Sequence, residues 1–291
     1  MIPDTIATPN PTPTPESEPE PGRGPVTPDP AWNTGTHQDF YAYYEKESSS
    51  GAALLRFSTI QANLLRLLGA PAGALRVADI GCGAGTQCML WAAQGHQVFG
   101  ADINAALVAL GRKRAGEAGL SVRFEVASAT ALPWPDQSMD LCIAPELLEH
   151  VADWQGCLRE FVRVLKPGGA LYLSTSNRLC PRQEEFTLPL YSWYPAPLKR
   201  RIERLARTTR PQLAGYATYP AVNWFTFYGL RDHLGRQGLR CLDRFDMMDL
   251  ARQGRWARLA VGLARKVAPL RFLGHVATPY TVLLAFKATP A

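Results

Sequence analysis

Residues 77–104 read VADIGCGAGTQCMLWAAQGHQVFGADIN and decide the fold. The apolar run Val77–Ile80 predicts a short buried strand, and a glycine-rich turn follows it. Residues 86–94 have the apolar spacing of a helix, and Gln97–Ala101 predicts a second strand that ends at Asp102. The stretch therefore predicts a strand–turn–helix–strand unit with an acidic side chain at the tip of its second strand.

The turn between the first strand and the helix carries three glycines, Gly81, Gly83 and Gly85. Glycine lets a ligand approach the backbone closely, and the N-terminus of the following helix favours an anionic group. Asp102, after the second strand, can accept hydrogen bonds from both hydroxyls of a ribose. We therefore expect this turn to bind a cofactor that contains a nucleoside.

Glycine spacing and a nearby carboxylate discriminate between such cofactors. Dinucleotide sites have the pattern G-x-G-x-x-G, whereas this turn has G-x-G-x-G. Asp79 lies two residues before the first glycine, where a carboxylate would repel a pyrophosphate and attract an ammonium group. Because the tail of S-adenosylmethionine carries an ammonium and a carboxylate, the pattern favours that cofactor over NAD.

Further motifs follow this one in order. They are DIGCGAGT from Asp79 with Asp102 behind it, ALPWPDQSMD at 131–140, PELLEHV at 145–151 and LKPGGALYLS at 165–174. Their order and spacing resemble class I S-adenosylmethionine-dependent methyltransferases of type 11, and the ubiquinone-pathway O-methyltransferases among them. The resemblance implies an α/β, Rossmann-like, doubly wound sheet of seven mostly parallel strands, with the seventh strand antiparallel. It also implies transfer of the sulfonium methyl group to an acceptor.

The resemblance carries cofactor-binding roles onto the matching residues. Where the family often has an acidic residue for the adenine amino group, this chain has Ser128, whose hydroxyl is a weaker acceptor, followed by Ala129. The junction after the fourth predicted strand lies beside the methionine end of the cofactor. The expected cofactor-binding residues are Asp79, Gly81, Cys82, Gly83, Gly85, Asp102, Ile103, Ser128, Ala129 and Glu146.

Glu146, Glu149 and His150 have the spacing i, i+3 and i+4, so a helix over Pro145–Val151 would place them on one face. In one interpretation, His150 is a general base that takes a proton from an acceptor hydroxyl. In another, the three side chains bind a divalent metal ion, as is credited to the same E-x-x-E-H pattern in the resembling O-methyltransferases. In the third, Glu149 and His150 only pack or cap.

The first thirty residues are rich in proline, threonine and acidic residues and contain too few apolar groups to fold. We expect residues 1–30 to be a disordered tail and residues 31–291 to form one methyltransferase domain with insertions at 177–223 and 251–275. The tail has no basic or apolar region of a secretory signal, and the six cysteines lack zinc spacing. A reducing cytoplasm is therefore the expected location.

Two groups of aromatic residues are candidates for acceptor contacts. The first precedes a helix predicted over 56–68, and the second lies in the first insertion. They are Phe40, Tyr41, Tyr43 and Tyr44, and then Tyr191, Trp193, Tyr194 and Trp224. Each group can line the acceptor pocket or can pack as ordinary core.

The second insertion, residues 251–275, alternates apolar side chains with arginine and lysine. The net charge of the chain is +6, and no acidic residue occurs from Leu250 to Ala291. An amphipathic helix of this kind, with Trp256 at its boundary, can lie on an anionic membrane surface, bind a partner or pack on the sheet. Its apolar runs are shorter than the ~18 residues that span a bilayer. Nucleic acid is disfavoured as a partner, because the sequence has no recognisable RNA-binding module.

These features favour a methyltransferase that methylates an oxygen of a small acceptor, lipophilic or lipid-linked. Two alternatives stay open. One is methylation of nitrogen or carbon in a soluble metabolite, and the other is a non-catalytic cofactor-binding protein. The intact glycines, with Asp79 and Asp102, argue against the second alternative.

Overall fold

A computed structural model describes residues 46–69, 73–183, 186–214, 221 and 223–289. The expectations for the N-terminal tail and for the aromatic residues at 40–44 lie outside the described residues. At the centre is one seven-stranded sheet with the order β3-β2-β1-β4-β5-β7-β6. The strands are β1 (Arg76–Ile80), β2 (Gln97–Asp102), β3 (Val122–Val126), β4 (Met139–Pro145), β5 (Leu165–Ser176), β6 (Leu239–Asp243) and β7 (Tyr280–Lys287).

Strands β1 to β5 are mutually parallel, and β7 runs antiparallel to both β5 and β6. The expected doubly wound sheet with an antiparallel seventh strand is therefore confirmed. The carboxyl ends of β1 to β6 all lie at one edge of the sheet, where ligands bind in such folds.

Helices cover both faces of the sheet. The α-helices that the structure describes are α1 (Gly51–Leu68), α2 (Thr86–Ala92), α3 (Ala105–Glu117), α4 (Trp154–Val164), α5 (Ala196–Thr208), α6 (Phe227–Gly235), α7 (Arg244–Met247), α8 (Arg255–Lys266) and α9 (Ala268–Val276). On one face, Leu64 of α1, Trp91 of α2 and Val108 of α3 pack in one buried cluster with Val77 of β1. On the other face, α4 and α6 pack against Ala78 and Ile80 of the same strand. Because β1 is buried on both faces, apolar side chains occupy successive positions at Val77 and Ala78 and again at Ile80, with the buried Asp79 between them.

The expected helix over Pro145–Val151 is wrong. Strand β4 continues to Pro145, and the N–H of Glu146 donates to the carbonyl of Ser174 at 2.8 Å, which prolongs the β4–β5 pairing. Glu146 then adopts a left-handed conformation with φ of 52°, and residues 146–150 form turns. The helical face on which Glu146, Glu149 and His150 would have met does not form.

Strand β5 begins at Leu165 and so includes the whole LKPGGALYLS motif. Its pairing with β4 shifts register between Met139 and Leu141, so residues 166–169 form an irregularity inside the strand. Gly168 has φ of 78°, and a Cβ on Gly169 would lie 2.9 Å from the carbonyl oxygen of Lys166. The paired glycines permit this local bend of the strand.

The second insertion forms two helices instead of one. Pro269 stands in the first turn of α9, where a missing N–H is tolerated, and it separates α9 from α8. Val261, Ala264 and His275 are the buried residues of this pair, and His275 Nε2 is hydrogen-bonded to Asp243 at the end of β6 at 2.9 Å. Within the described residues, no helix is long and apolar enough to cross a membrane.

Candidate active site

A cavity of about 680 Å³ opens at the carboxyl edge of the sheet. Its wall comes from the turns that follow β1, β2, β3 and β4, and from α1 with the residues just before it. Nine of the ten expected cofactor-binding residues line this cavity, and so does His150. The residues are Asp79, Gly81, Cys82, Gly83, Asp102, Ile103, Ser128, Ala129 and Glu146. The structure thus brings together the groups that the sequence motifs singled out.

Gly85 is the exception, since it is absent from the cavity wall formed by the described residues. It precedes α2 with φ of 75°, and a Cβ there would lie 2.5 Å from Cζ of Phe124. This glycine allows the turn to pack tightly on β3 and its neighbours. Its position explains the third glycine of the motif by packing and not by ligand approach.

Asp102 holds the glycine turn in place. Its Oδ2 accepts a hydrogen bond from the N–H of Gly83 at 2.9 Å, and its Oδ1 accepts one from the N–H of Asn104 at 2.8 Å. Burial raises the pKa of this carboxyl, while the hydrogen bonds from Asn104 and Gly83 oppose the rise. Each oxygen keeps further acceptor capacity, so the carboxylate can also accept the two hydroxyls of a ribose.

Asp79 is almost fully buried on the cavity wall. Gln87 Nε2 donates to its Oδ1 and Cys88 Sγ donates to its Oδ2, both at 3.2 Å. Burial raises the pKa of Asp79 to about 7, against the lowering effect of the Cys88 and Gln87 hydrogen bonds, and the charge of Asp102 adds to the rise. Gln87 Oε1 is buried with no hydrogen-bond partner among the described residues. A carboxylate and an unsatisfied amide oxygen side by side fit the ammonium group of S-adenosylmethionine.

The N-terminal side of the cavity is formed by residues that the motifs do not reveal. Thr86 Oγ1 donates to the carbonyl of Ser48 at 2.6 Å, and Arg114 Nη1 donates to Ser48 Oγ at 3.0 Å. Arg56 of α1 donates to Glu146, which ties α1 to the turn after β4. Because these contacts join segments 38 to 90 residues apart, no local pattern could predict them. Gln87 was missed too, although a glutamine among the buried positions of a short helix is an unusual residue.

His150 is half-buried as a residue, and burial of its imidazole lowers its pKa to about 4. The ring is therefore neutral at physiological pH and can accept a proton. Glu149 lies elsewhere: it is buried, and its Oε2 accepts a hydrogen bond from Thr175 Oγ1 at 2.7 Å. In the part of the chain that the structure describes, no three His, Cys, Asp or Glu side chains are placed to hold a metal ion. Glu146, Glu149 and His150 therefore do not form such a group in this part of the chain.

The aromatic residues of the first insertion form a small core of their own. Tyr191 is fully buried and stacks on Phe186 with ring centroids 4.0 Å apart, and Trp224 meets its edge at 5.7 Å. Tyr194 packs against the same cluster, whereas Trp193 is 55% exposed. None of these four expected acceptor contacts belongs to the cavity wall that the described residues form. The core interpretation is correct for Tyr191, Tyr194 and Trp224.

The residues that form the cavity fall largely in a segment that is similar to known methyltransferases. Residues 78–173 match the family model described as a methyltransferase domain. The ubiquinone biosynthesis O-methyltransferase of Chelativorans sp. (strain BNC1) is 37% identical over 108 residues, which cover 37% of this chain and 43% of that protein. The ubiquinone biosynthesis O-methyltransferase of Xanthomonas axonopodis pv. citri (strain 306) is 41% identical over 109 residues, which cover 37% of this chain and 45% of that protein. The chain thus spans less than half the length of these curated relatives.

Solved structures support the same architecture. Magnesium protoporphyrin IX methyltransferase from Synechocystis PCC 6803, with bound SAH, superposes with a TM-score of 0.54 at 16% identity, covering 86% of this chain and 95% of its own. The PH0226 protein from Pyrococcus horikoshii OT3 superposes with a TM-score of 0.53 at 16% identity, and the match covers 85% of this chain and 99% of that protein. At these identities the likeness concerns the fold alone. Residues 78–173 are therefore similar to a methyltransferase domain, and the fold around them is the one that these solved structures share.

Proposed function

We propose that this protein transfers the methyl group of S-adenosylmethionine to a hydroxyl oxygen of a small acceptor. The observation that carries the proposal is that a buried carboxylate, Asp79, and a half-buried one, Asp102, line the same cavity. Asp102 is bonded to the glycine turn, and Asp79 lies beside the unsatisfied oxygen of Gln87. Asp102 suits the hydroxyls of a ribose, and Asp79 suits an ammonium group.

In this proposal the cofactor supplies an electrophilic methyl group, and the protein supplies position and proton transfer. The turn Gly81–Gly83 lets the cofactor lie against the backbone, and Ser128 with Ala129 lines the adenine side of the cavity. Arg56 also lines the cavity, where a guanidinium can pair with a carboxylate. Most of the rate would come from alignment of the acceptor oxygen with the methyl carbon.

His150 is the group that we assign to proton removal. It lies on the cavity wall next to the turn after β4, and its neutral imidazole can accept the proton of an acceptor hydroxyl. The oxygen would then attack the methyl carbon as the carbon–sulfur bond breaks. Oxygen is favoured as the methylated atom because the similar relatives are named O-methyltransferases.

A lipophilic acceptor and a membrane-surface location belong to the same proposal. Helices α8 and α9 expose large apolar side chains beside Arg255, Arg258 and Lys266. The exposed apolar residues are Trp256, Leu259, Leu263, Val267, Leu270, Phe272 and Leu273. Apolar side chains framed by cations suit the interface of an anionic bilayer. We propose that the protein acts in the cytoplasm, against such a surface, with residues 31–291 as one domain.

Transfer of a labelled methyl group tests the proposed function. The purified protein is incubated with cofactor labelled in its methyl group and a whole-cell extract, and organic and aqueous phases are then separated. Label is expected in the organic phase with the wild type and with Glu117→Gln, an exposed control, and not with Asp102→Asn. Label confined to water-soluble products would contradict the lipophilic acceptor. Binding of S-adenosylhomocysteine without any label transfer would instead favour a non-catalytic cofactor-binding protein.

A further inference from the structure

His150 stands in a turn whose backbone is fixed by residues from distant parts of the chain. Residues 146–150 form turns between β4 and α4, and the N–H of His150 donates to the carbonyl of Leu147 at 3.0 Å. A turn holds a side chain less precisely than a helix or a strand does, unless neighbouring groups fix its backbone. The contacts made to this turn therefore decide where the imidazole lies on the cavity wall.

Asn223 donates hydrogen bonds to carbonyls on both sides of His150. Its Nδ2 donates to the carbonyl of Val151 at 2.6 Å and to that of Leu148 at 3.1 Å. Its backbone N–H donates to the carbonyl of Glu149 at 3.0 Å. The carbonyls immediately before and after His150 are thus bound to the same residue. A side-chain amide suits this contact, because its nitrogen carries two hydrogens and can bond to two carbonyls at once.

Asn223 is itself anchored to the sheet through Phe225, two residues further along the chain. The N–H of Phe225 donates to the carbonyl of Ser176, the last residue of β5, at 3.0 Å. The carbonyl of Phe225 accepts hydrogen bonds from the N–H of Arg178 at 2.8 Å and from Thr281 Oγ1 of β7 at 3.2 Å. This short segment therefore connects the end of β5 to the turn that carries the imidazole.

Glu149 gives the turn a second anchor on β5. Its side chain is buried, and its Oε2 accepts a hydrogen bond from Thr175 Oγ1 at 2.7 Å. Leu147 packs against the glycine turn, where a Cβ on Gly81 would lie 3.1 Å from its Cδ1. These contacts hold the two residues by their side chains, whereas Asn223 holds the backbone on either side of the imidazole.

We propose that Asn223 is a positioning residue for methyl transfer, which holds this turn so that the imidazole of His150 meets the acceptor hydroxyl. This inference rests on the proposed function, because it concerns the base of the same site. Asn223 is absent from the cavity wall that the described residues form, so it acts through the backbone of the turn. Proton transfer needs the imidazole nitrogen within hydrogen-bond reach of the hydroxyl, and a displacement of about 1 Å can cost about 10²-fold in rate. The first insertion, residues 177–223, would thus contribute to the site through its last residue.

Chemical modification tests this contact without any acceptor. Diethyl pyrocarbonate acylates a neutral imidazole, and mass spectrometry of peptides follows the reaction at His150 in the full chain. Asn223→Asp places an ionised carboxylate of nearly the same shape against the two carbonyls, to which it cannot donate. Asn223→Ala removes the amide without adding a charge. We expect His150 to react several times faster in both variants than in the wild type, and equal rates in all three proteins would overturn the proposal.

Gln183→Glu is the matched control, because it also changes an amide of the first insertion to a carboxylate. Gln183 is half-buried like Asn223, and its Nε2 likewise donates to two carbonyls, those of Phe186 at 2.6 Å and Leu188 at 3.2 Å. Neither carbonyl belongs to the turn that carries His150. The control variant should therefore show the wild-type rates of acylation at His150 and of methyl transfer.

A double-variant cycle on the rate of methyl transfer separates positioning of the base from a general loss of structure. Single-turnover transfer to the acceptor in the cell extract is measured at saturating S-adenosylmethionine for Asn223→Asp, for His150→Ala and for the two combined. Asn223→Asp should lose about 10²-fold in rate, and it should cause no further loss in a protein that already carries His150→Ala. Binding of S-adenosylhomocysteine shows that each variant is folded.

An equal loss of rate from Asn223→Asp with and without His150→Ala would overturn the positioning role, and so would a wild-type rate in Asn223→Asp. If His150→Ala alone kept the wild-type rate, the base assigned in the proposed function would be wrong, and the positioning role would fall with it. The acylation rates would still decide separately whether Asn223 holds the turn.

Discussion

The thiol of Cys88 donates a hydrogen bond to the carboxylate of Asp79, with 3.2 Å between Sγ and Oδ2. Gln87 donates to the other oxygen, so both of these partners are neutral donors around a buried acid. Their hydrogen bonds do not offset the cost of burying a charge, and the pKa of Asp79 rises to about 7. A cationic ligand on this wall would supply the missing compensation.

Cofactor binding should therefore release a proton from Asp79. Below pH 7 the carboxyl is protonated before binding, and an ammonium group beside it lowers its pKa. The complex then holds fewer protons than the free protein, so affinity rises with pH, by up to about tenfold per unit below pH 7. Calorimetry with S-adenosylhomocysteine between pH 5.5 and 7, in two buffers of different ionisation enthalpy, measures both the slope and the released proton.

The Asp79→Asn variant should bind with lower affinity and without this slope. Glu117→Gln, which changes an exposed carboxyl on α3, should keep the slope of the wild type. A wild-type affinity that is constant over this range, or an equal slope in Asp79→Asn, would show that the ammonium group does not lie at Asp79.

Replacement of His150 should slow methyl transfer and leave cofactor binding intact. Loss of a general base typically costs about 10²–10⁴-fold in rate, so His150→Ala should lose that much in single-turnover transfer to the extracted acceptor. His233→Ala removes a histidine that packs on Trp154 and serves as the control. If His150→Ala retained its rate, the acceptor would need no base, which would favour nitrogen or carbon as the methylated atom.

The pH profile gives a second measure of His150. A histidine with an ordinary pKa would lose its basic form near pH 6.5, whereas the pKa of His150 is lowered to about 4 by burial. At saturating cofactor and acceptor, the rate should not fall between pH 8 and 5 through protonation of this ring. A wild-type inflection near pH 6.5 that is absent from His150→Ala would contradict the burial of the imidazole.

The sequence was informative where structure is encoded locally. Local spacing predicted the strand–turn–helix–strand unit that ends at Asp102, and the resemblance of the motifs implied the doubly wound sheet of seven strands and nine residues of the cavity wall. Local spacing failed at residues 145–151, because the N–H of Glu146 is taken by Ser174 of a neighbouring strand. It also could not show that Arg56 reaches Glu146, or that Arg271 pairs with Asp243 and Asp246. Such pairings depend on tertiary contacts between distant segments.

Gly85 is expected to be more sensitive to substitution than its conformation alone requires. In Gly85→Ala, an alanine would adopt a left-handed backbone conformation, which costs about 1–2 kcal/mol. Its Cβ would also clash with the ring of Phe124, because it would lie 2.5 Å from Cζ. We expect a total loss of about 2–4 kcal/mol in the free energy of unfolding, as for other overpacked core sites. Chemical denaturation measures it.

Gly95→Ala is the matched control, because Gly95 has φ of 82° and a Cβ there would meet nothing within 4 Å. Gly95→Ala should therefore lower the free energy of unfolding only by the cost of the left-handed backbone, about 1–2 kcal/mol. Adding Phe124→Ala removes the clash, so the double variant with Gly85→Ala should lose less stability than the sum of the two single variants. Equal losses at Gly85 and Gly95 would show that the turn has room to move away from Phe124.

Charge reversal on α8 should abolish binding to anionic vesicles. Arg255, Arg258 and Lys266 are exposed, whereas Arg265 donates to the carbonyls of Phe245 and Met248 and must be left intact. At about 1 kcal/mol per cation near an anionic surface, the triple glutamate variant should lose more than 100-fold in co-sedimentation with phosphatidylserine vesicles. The control is Arg200→Glu, Arg201→Glu and Arg204→Glu on α5, which makes the same change of net charge at exposed positions of another helix. Equal losses in both triple variants would indicate attraction by net charge alone, and undiminished binding of the α8 variant would remove α8 and α9 from the proposed membrane surface.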